Sequence, residues 1–129
     1  MPAAAALETL IVDDQQSTRQ LVRSCLVQLG FTRIRECQDG EEARELLQTA
    51  RVHLIFSDLT MPRLDGLGLL RAVRASPATA STAFIMLTGR ADTLLVQEAV
   101  KLGVNNYIVK PFSFEVLKKK VEAVVGQLT

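Results

Sequence analysis

The sequence predicts an α/β domain with a five-stranded parallel sheet, doubly wound, with helices on both of its faces. One observation and one general rule support this prediction. Apolar runs of strand length alternate five times with longer stretches whose apolar residues recur at helical spacing. In addition, crossovers between parallel strands are right-handed, so the helices must cover both faces of the sheet. A chain of 129 residues is long enough for one domain of this kind.

The first strand is predicted over residues 7–12, an apolar run that ends at Asp13 and Asp14. The helix that follows has one apolar and one polar face, and we expect it to end at Gly30, because glycine is favoured just past a helix. Its predicted inward residues are Leu21, Val22, Cys25, Leu26 and Leu29, and its predicted solvent-facing residues are Arg19, Arg23 and Gln28.

The second strand, over residues 31–37, carries several charged residues and is therefore predicted at the edge of the sheet. The third strand is the buried run 54–58, which ends at Asp58. A loop marked by Pro62 and Gly66 follows this strand. The predicted N-caps of the second, third and fifth helices are Asp39, Asp65 and Ser113.

The second half of the chain repeats the strand–helix pattern. A fourth strand over 83–87 ends at Thr88, and a helix over about 92–102 ends at Gly103. A fifth strand over 107–109 ends at Lys110. The apolar stripe of the last helix is Phe114, Leu117, Val121, Val124 and Leu128.

Composition excludes several classes of protein. A net charge of +1 offers no electrostatic basis for binding nucleic acid, and no apolar run is long enough for membrane insertion. Cys25 and Cys37 fit neither a redox pair nor a zinc site, so we expect two small buried side chains, which suits the cytoplasm. His53 is expected to be structural. Residues 1–6 lack the features of a signal peptide and are predicted to form a flexible tail, with the domain spanning residues 7–129.

Polar residues follow four of the five strands, namely Asp13, Asp14, Asp58, Thr88 and Lys110. A parallel sheet brings the carboxyl ends of its strands to one edge. Three carboxylates there repel one another, so one must keep its proton or a cation must neutralise them. An oxygen-only site suits Mg²⁺ shared with a phosphate, and an aspartate beside it can attack phosphorus. A single Lys–Asp ion pair over a solvated loop would leave the other polar residues unexplained.

Several short motifs together resemble the receiver domain of bacterial two-component response regulators, and among receivers the single-domain, CheY-like chemotaxis regulators. The resemblance covers nearly the whole chain and implies a flavodoxin-like strand order of 2-1-3-4-5. The motifs are Asp13-Asp14, Ser57-Asp58, Met61-Pro62, Asp65-Gly66, Thr88-Gly89 and Lys110-Pro111-Phe112.

The resemblance implies a phosphoacceptor signalling protein that is not an enzyme in the usual sense. A sensor histidine kinase would transfer a phosphoryl group to Asp58. The ligands of Mg²⁺ would be the side chains of Asp14 and Asp58, the backbone carbonyl of Thr60 and, mainly through water, Asp13. Lys110 and Thr88 would contact the phosphoryl oxygens.

The resemblance also implies how phosphorylation becomes a signal. Tyr107 would turn inward behind Thr88, and the face formed by the fourth helix, fifth strand and fifth helix would bind a protein partner. Thr60 and Arg90 would set the lifetime of the phosphoryl group, and the Lys110–Pro111 peptide would be cis.

Other interpretations of the same sequence remain open. A phosphate-independent interaction domain, or a receiver taken from a larger regulator, would show the same motifs. A flavodoxin-like electron carrier would place a phosphate where Asp13 and Asp14 repel it, and an aspartate-dependent phosphatase would need an acid where Thr60 stands. The run Lys118-Lys119-Lys120 is interpreted as a solvated helix face, with a docking patch as the alternative. Gly68 within the third helix has no evident reason.

Overall fold

The protein is described by a computed structural model over residues 3–89 and 93–129. Its sheet has five parallel strands in the order β2-β1-β3-β4-β5. The predicted fold class and strand order are therefore confirmed, and the charged strand β2 lies at an edge. The strands are β1 (Glu8–Val12), β2 (Arg33–Cys37), β3 (Leu54–Asp58), β4 (Ala83–Thr88) and β5 (Asn106–Val109).

Helices cover both faces of the sheet and bury two separate apolar cores. Successive residues of β1 point to opposite sides, so Leu10 lies in one core and Ile11 in the other. The first core includes residues of α2, α3 and α4, and the second includes residues of α1 and α5. The helices are α1 (Gln16–Gln28), α2 (Gly40–Leu46), α3 (Gly66–Ala75), α4 (Thr93–Lys101) and α5 (Phe114–Val125).

The predicted N-caps form as expected, because each cap depends only on neighbouring residues. The side chains of Asp39 and Asp65 accept hydrogen bonds of 2.9 and 2.8 Å from backbone amides three residues later. Ser113 accepts one of 3.2 Å in the same way. Gly30, just past α1, has a φ of +98°, a conformation that favours glycine.

Two predictions for α1 were wrong. Leu21, predicted to face inward, is 46% exposed, because the helix packs through the neighbouring stripe of Val22, Cys25 and Leu26. Arg19, predicted to face solvent, has a side chain only 11% exposed. Its guanidinium turns back over the end of β1, where carbonyl and carboxylate acceptors are available.

The structure also differs from the flexible tail predicted over residues 1–6, of which residues 1 and 2 lie outside the described residues. Residues Ala4–Ala6 form a 3-10 turn, and Ala4 is completely buried in the core beneath α1 and α5. The amide of Ala4 donates a 3.2 Å hydrogen bond to the carbonyl of Thr129. A small side chain and a partner distant in sequence therefore hold this segment against the domain.

The guanidinium of Arg74 ties the end of α3 to the loop after α4. It donates to the carbonyls of Ala80, Thr82 and Gly103 and to the side-chain oxygen of Asn105, over distances of 2.6–3.2 Å. The same oxygen of Asn105 accepts a 2.8 Å bond from the amide of Phe84 in β4. Burial lowers the pKa of Arg74, and the oxygens that accept these bonds are all neutral.

The cysteines and the histidine have the structural roles expected of them. Cys25 and Cys37 are buried free thiols, and burial raises the pKa of Cys37 to about 12. The Nδ1 atom of His53 accepts a 3.0 Å hydrogen bond from the amide of Glu8. Within the described parts of the chain, none of the helices combines the length and the apolar character needed to cross a bilayer.

Candidate functional site

The strand register brings the predicted polar residues to one edge of the sheet. Val12 is paired with Ser57, so Asp13 and Asp58 are the next residues on adjacent strands. Thr88 ends β4, one residue beyond the partner of Asp58, and Lys110 follows β5. The site is therefore assembled by four strands, and its side chains come from the ends that a parallel arrangement places together.

Three carboxylates form the centre of this site. One oxygen each from Asp13, Asp14 and Asp58 lies within 4.8 Å of the others. Asp13 is fully buried, Asp14 is exposed, and the side chain of Asp58 is 13% exposed. The cluster is thus buried on one side and open to solvent on the other, as a site for a small ion and a solution reactant requires.

Lys110 joins two of these carboxylates. Its Nζ lies 3.3 Å from Oδ2 of Asp13 and 3.1 Å from Oδ1 of Asp58. The Lys110–Pro111 peptide is cis, as expected, and the amide of Lys110 donates a 2.7 Å bond to the carbonyl of Thr88. One ammonium faces three carboxylates, which leaves the cluster with a net negative charge when all three are ionised.

The electrostatics of Asp13 reflect its burial first and this excess of negative charge second. Burial raises the pKa of Asp13 above its ordinary value, and the neighbouring charge of Asp58 raises it further. The amide of Gln15, which donates a 2.9 Å bond, and the ammonium of Lys110 act in the opposite direction. A divalent cation would relieve the remaining repulsion, and an all-oxygen donor set is the one that Mg²⁺ prefers.

Thr88 and Tyr107 lie on the α4 side of the cluster. Thr88 is buried, and its hydroxyl donates a 3.1 Å bond to the carbonyl of Gly89. Tyr107 in β5 is half-buried and lines the same cavity as Thr88. Arg90, predicted to influence the same site, lies outside the described residues.

The loop between β3 and α3 is held tightly beneath Asp58. The amide of Gly66 donates a 3.0 Å bond to the carbonyl of Leu59. A Cβ atom at Gly66 would lie 2.3 Å from the carbonyl oxygen of Asp58, so only glycine permits this approach. Arg63 has a φ of +67° and pairs with Asp39 at 2.8 Å, which fixes the far side of the loop.

Thr60 stands exposed in this loop, two residues after Asp58.

Gly68, for which the sequence showed no reason, is explained by the same loop. A Cβ atom at Gly68 would lie 2.5 Å from Cδ1 of Leu64. Glycine at this position therefore makes room for the Leu64 side chain, which packs against the first core.

Arg19 and Glu36 form a contact with the site that the sequence analysis missed. Arg19 donates a 2.7 Å bond to the carbonyl of Asp13 and pairs with Glu36 of β2 at 3.0 Å. Arg23, one turn further along α1, pairs with the other oxygen of Glu36 at 2.6 Å. The sequence signal for this contact was a pair of arginines at helical spacing on α1, together with an acidic residue on the edge strand β2.

Comparison with known proteins agrees with the geometry. The family model for the response regulator receiver domain matches residues 9–122. A probable chemotaxis protein CheY of Rhizobium etli is 45% identical over 128 residues, which cover 99% of each chain. The chemotaxis protein CheY of Pseudomonas aeruginosa is 38% identical and covers 92% of this chain and 95% of its own.

Solved structures extend the comparison. The CheY4 chemotaxis protein of Vibrio cholerae superposes with a TM-score of 0.84 at 34% identity, over 96% of this chain and 99% of its own. The receiver domain of a Pseudomonas aeruginosa sensor histidine kinase was solved with a magnesium ion coordinated in its active-site cleft. It has a TM-score of 0.83 at 26% identity, over 94% of this chain and 98% of its own. The chain belongs to the response regulator receiver domain family and is a homologue of the CheY chemotaxis proteins.

Proposed function

We propose that this protein is a phosphorylation-dependent switch of a two-component pathway and that Asp58 accepts its phosphoryl group from a sensor histidine kinase. The observation that carries the proposal is the convergence of Asp13, Asp14 and Asp58 at a partly open edge, with Lys110 joining two of them. The relatives at 45% and 38% identity are chemotaxis proteins, which supports a role in chemotaxis for this chain as well.

Asp58 is the best placed of the three carboxylates to act as the nucleophile. Asp13 is buried and held by Lys110 and by the amide of Gln15. Asp58 retains access to solvent, and Lys110 contacts its Oδ1, so we assign attack on phosphorus to Oδ2. The kinase phosphohistidine would then lose its phosphoryl group to this oxygen, and the imidazole would be the leaving group.

The donor set fits Mg²⁺ as the resident cofactor. The ligands that we assign are the side chains of Asp13, Asp14 and Asp58, with Asp13 acting mainly through water, and the backbone carbonyl of Thr60. When bound, the ion would neutralise the carboxylates and polarise the phosphoryl group. The similar receiver domain with magnesium in its cleft supports this assignment.

Lys110 and Thr88 would detect the new charge. Phosphorylation adds about 1.5 to 2 negative charges, and each charge-assisted hydrogen bond from these side chains contributes roughly 1.5–3 kcal/mol. A shift from 1:99 to 99:1 between two states needs about 5.5 kcal/mol. Two such bonds approach that value, so a switch through Thr88 and Tyr107 is energetically reasonable. Thr60 and Arg90 would set the lifetime of the phosphoryl group.

The face that transmits the change would be formed by α4, β5 and α5. These three elements carry five of the seven large apolar side chains that are exposed in the described residues, which supports a surface that binds another protein. We therefore propose a protein partner in the cytoplasm, and no nucleic acid. The protein would assist its own phosphorylation and dephosphorylation without acting on other substrates. The exposed apolar residues are Leu94, Leu95, Val100, Val109 and Val116.

Phosphorylation with acetyl phosphate and Mg²⁺ tests the acceptor. We expect the intact mass of the wild-type protein to increase by one phosphate and that of Asp58→Asn to stay unchanged, because the amide cannot act as the nucleophile. Asp65→Asn is the matched control. It removes a nearby carboxylate but keeps a good N-cap for α3, so it should still take up phosphate.

A phosphate adduct on Asp58→Asn would contradict the assignment of the acceptor. A wild-type protein that takes up no phosphate, either from acetyl phosphate or from a phosphorylated histidine kinase, would favour a phosphate-independent interaction domain instead.

A further inference from the structure

The three consecutive lysines of α5 do not share one environment. Lys118 and Lys119 are exposed, whereas Lys120 is half-buried. The Nζ of Lys120 lies 4.9 Å from the centroid of the Tyr107 ring, within the range of a cation–π contact. The prediction that all three lysines form a solvated face is therefore wrong at Lys120.

Asn106 makes two long contacts with Lys120. Its side-chain oxygen lies 3.5 Å from Nζ of Lys120, and its side-chain nitrogen lies 3.5 Å from the backbone carbonyl of Lys120. The same oxygen accepts a 2.9 Å bond from the amide of Tyr107. The ammonium thus lies beside the strand that carries the ring, next to both Asn106 and Tyr107.

Open space lies beside the ring on the α4 side. Tyr107 and Thr88 both line a cavity of about 320 Å³, together with Val96, Gln97 and Val109. A cavity of about 150 Å³ is enough to hold benzene. The phenol ring therefore has space to move towards Thr88. Lys120 belongs to α5, which packs on the opposite face of the sheet from α4, so this movement would lengthen the contact between the ring and the ammonium.

We propose that Lys120 is a positioning residue that stabilises Tyr107 in its present position and opposes its movement towards Thr88. This inference rests on the proposed function, in which the inward position belongs to the phosphorylated state. Lys120 sets the threshold of the switch, because the phosphoryl group must draw the ring away from a cation. Removal of the charge raises the inward population of the resting protein by about two- to fivefold, the range of a partly exposed cation–π contact.

Tyr107 can be observed selectively. The chain contains one tyrosine and no tryptophan, so biosynthetic fluorotyrosine labels a single site. The difference between its fluorine chemical shifts in H₂O and D₂O reports the exposure of the ring to solvent. Beryllofluoride with Mg²⁺, a phosphoryl mimic, gives the shift of the activated state and a midpoint for activation.

Three variants of Lys120 separate charge from shape. Lys120→Gln and Lys120→Met both remove the charge, and Met keeps an aliphatic stem over the ring. Lys120→Arg keeps a cation that can lie over the same ring. Lys118→Gln removes an exposed charge from the same helix and is the matched control. Thermal unfolding confirms that each variant is folded, and either charge-free variant alone suffices for the comparison.

We expect Lys120→Gln and Lys120→Met to reduce the solvent-dependent fluorine shift and to lower the beryllofluoride midpoint by about two- to fivefold. Lys120→Arg and Lys118→Gln should match the wild type. Equal solvent-dependent shifts for Lys120→Gln and the wild type would overturn the inference, and so would Lys120→Arg behaving like Lys120→Gln. If beryllofluoride leaves the wild-type resonance unchanged, the proposed function fails, and the solvent-dependent shifts still decide the role of Lys120.

Discussion

Glu36 shows how a single residue outside the acidic cluster contributes to its geometry. It accepts hydrogen bonds from Arg23 and Arg19, and Arg19 also donates to the carbonyl of Asp13. Burial acts to raise the pKa of Glu36, but the bonds from the two arginines outweigh it and hold the pKa below its ordinary value of 4.5. The ionised form is therefore the one that stabilises the fold.

The pH dependence of stability should reveal this contribution. Because the pKa of Glu36 is lower in the folded protein, its stabilisation is complete above about pH 4.5 and is lost as the pH falls through the folded-state value. We expect Glu36→Gln to lower the free energy of unfolding by about 1–3 kcal/mol at pH 7. The difference from the wild type should shrink as the pH falls below about 4.5. Urea unfolding at a series of pH values measures it.

Glu45→Gln, an exposed position on α2, is the control and should leave stability nearly unchanged at every pH. If the loss of unfolding free energy in Glu36→Gln stays constant down to pH 3, Glu36 does not stabilise the fold through its ionised form.

Two of the residues that sequence analysis misjudged, Arg19 and Lys120, have long polar side chains. Helical spacing predicts the direction in which a side chain leaves the backbone, and on that basis Arg19 and Lys120 were assigned to solvent. Both instead reach residues on or next to strands of the sheet. Arg19 contacts Asp13 and Glu36, and Lys120 contacts Asn106 and Tyr107. Such contacts depend on the spacing between elements, which periodicity does not contain.

At the scale of elements, the junction of β3 and α3 determines where Asp58 can lie. Gly66 and Gly68 both belong to the first turn of α3, but they face different neighbours. A Cβ atom at Gly66 would meet the backbone of Asp58 and Leu59, whereas one at Gly68 would meet the flexible end of the Leu64 side chain.

The two glycines should therefore differ on substitution. We expect Gly66→Ala to destabilise the protein by about 1–3 kcal/mol, because backbone must shift to relieve the overlap. It should also slow phosphorylation, since Asp58 is part of that backbone. Gly68→Ala should change stability by less than about 1 kcal/mol, because the helix propensity of alanine offsets the displacement of Leu64. Chemical denaturation and the acetyl phosphate reaction measure both effects.

Similar losses for both variants would show that the contact with Asp58 is not what requires glycine at position 66.

Local signals predicted the elements well. The three N-caps were identified because a cap needs only an acceptor and an amide three residues later. The edge position of β2 followed from its charges. The face of α1 was less well predicted, because Leu21 is apolar yet lies beside the stripe that packs on the sheet.

At the scale of the whole molecule, alternation of strands and helices predicted the fold class, and strand ends predicted which polar residues would meet. The order of the strands came from the family resemblance, since many orders satisfy the same alternation. The packing of Ala4 could not be predicted, because it depends on Thr129 at the opposite end of the sequence. The roles assigned to individual site residues remain predictions.

Binding of Mg²⁺ should stabilise the whole domain, because only the folded chain brings Asp13, Asp14 and Asp58 together. At an ion concentration of 100 times the dissociation constant, the expected gain is about 2.7 kcal/mol. We expect EDTA to reverse it. Asp13→Asn should lose most of the gain, because one of the three carboxylates is removed, whereas Asp65→Asn should retain it. Thermal unfolding at constant ionic strength is the measurement.

An equal response of Asp13→Asn and the wild type to Mg²⁺ would place the ion elsewhere on the molecule.

The hydrogen bonds of Arg74 have a mechanical consequence at the amino-terminal ends of the strands, opposite the carboxylate cluster. Because they end on neutral oxygens, these bonds persist when the solution is acidified. Gly103, just beyond α4, is therefore an anchored pivot. We expect any displacement of α4 to be a tilt about this fixed end, with an amplitude that grows with distance from it, so that Leu94 travels further than Val100.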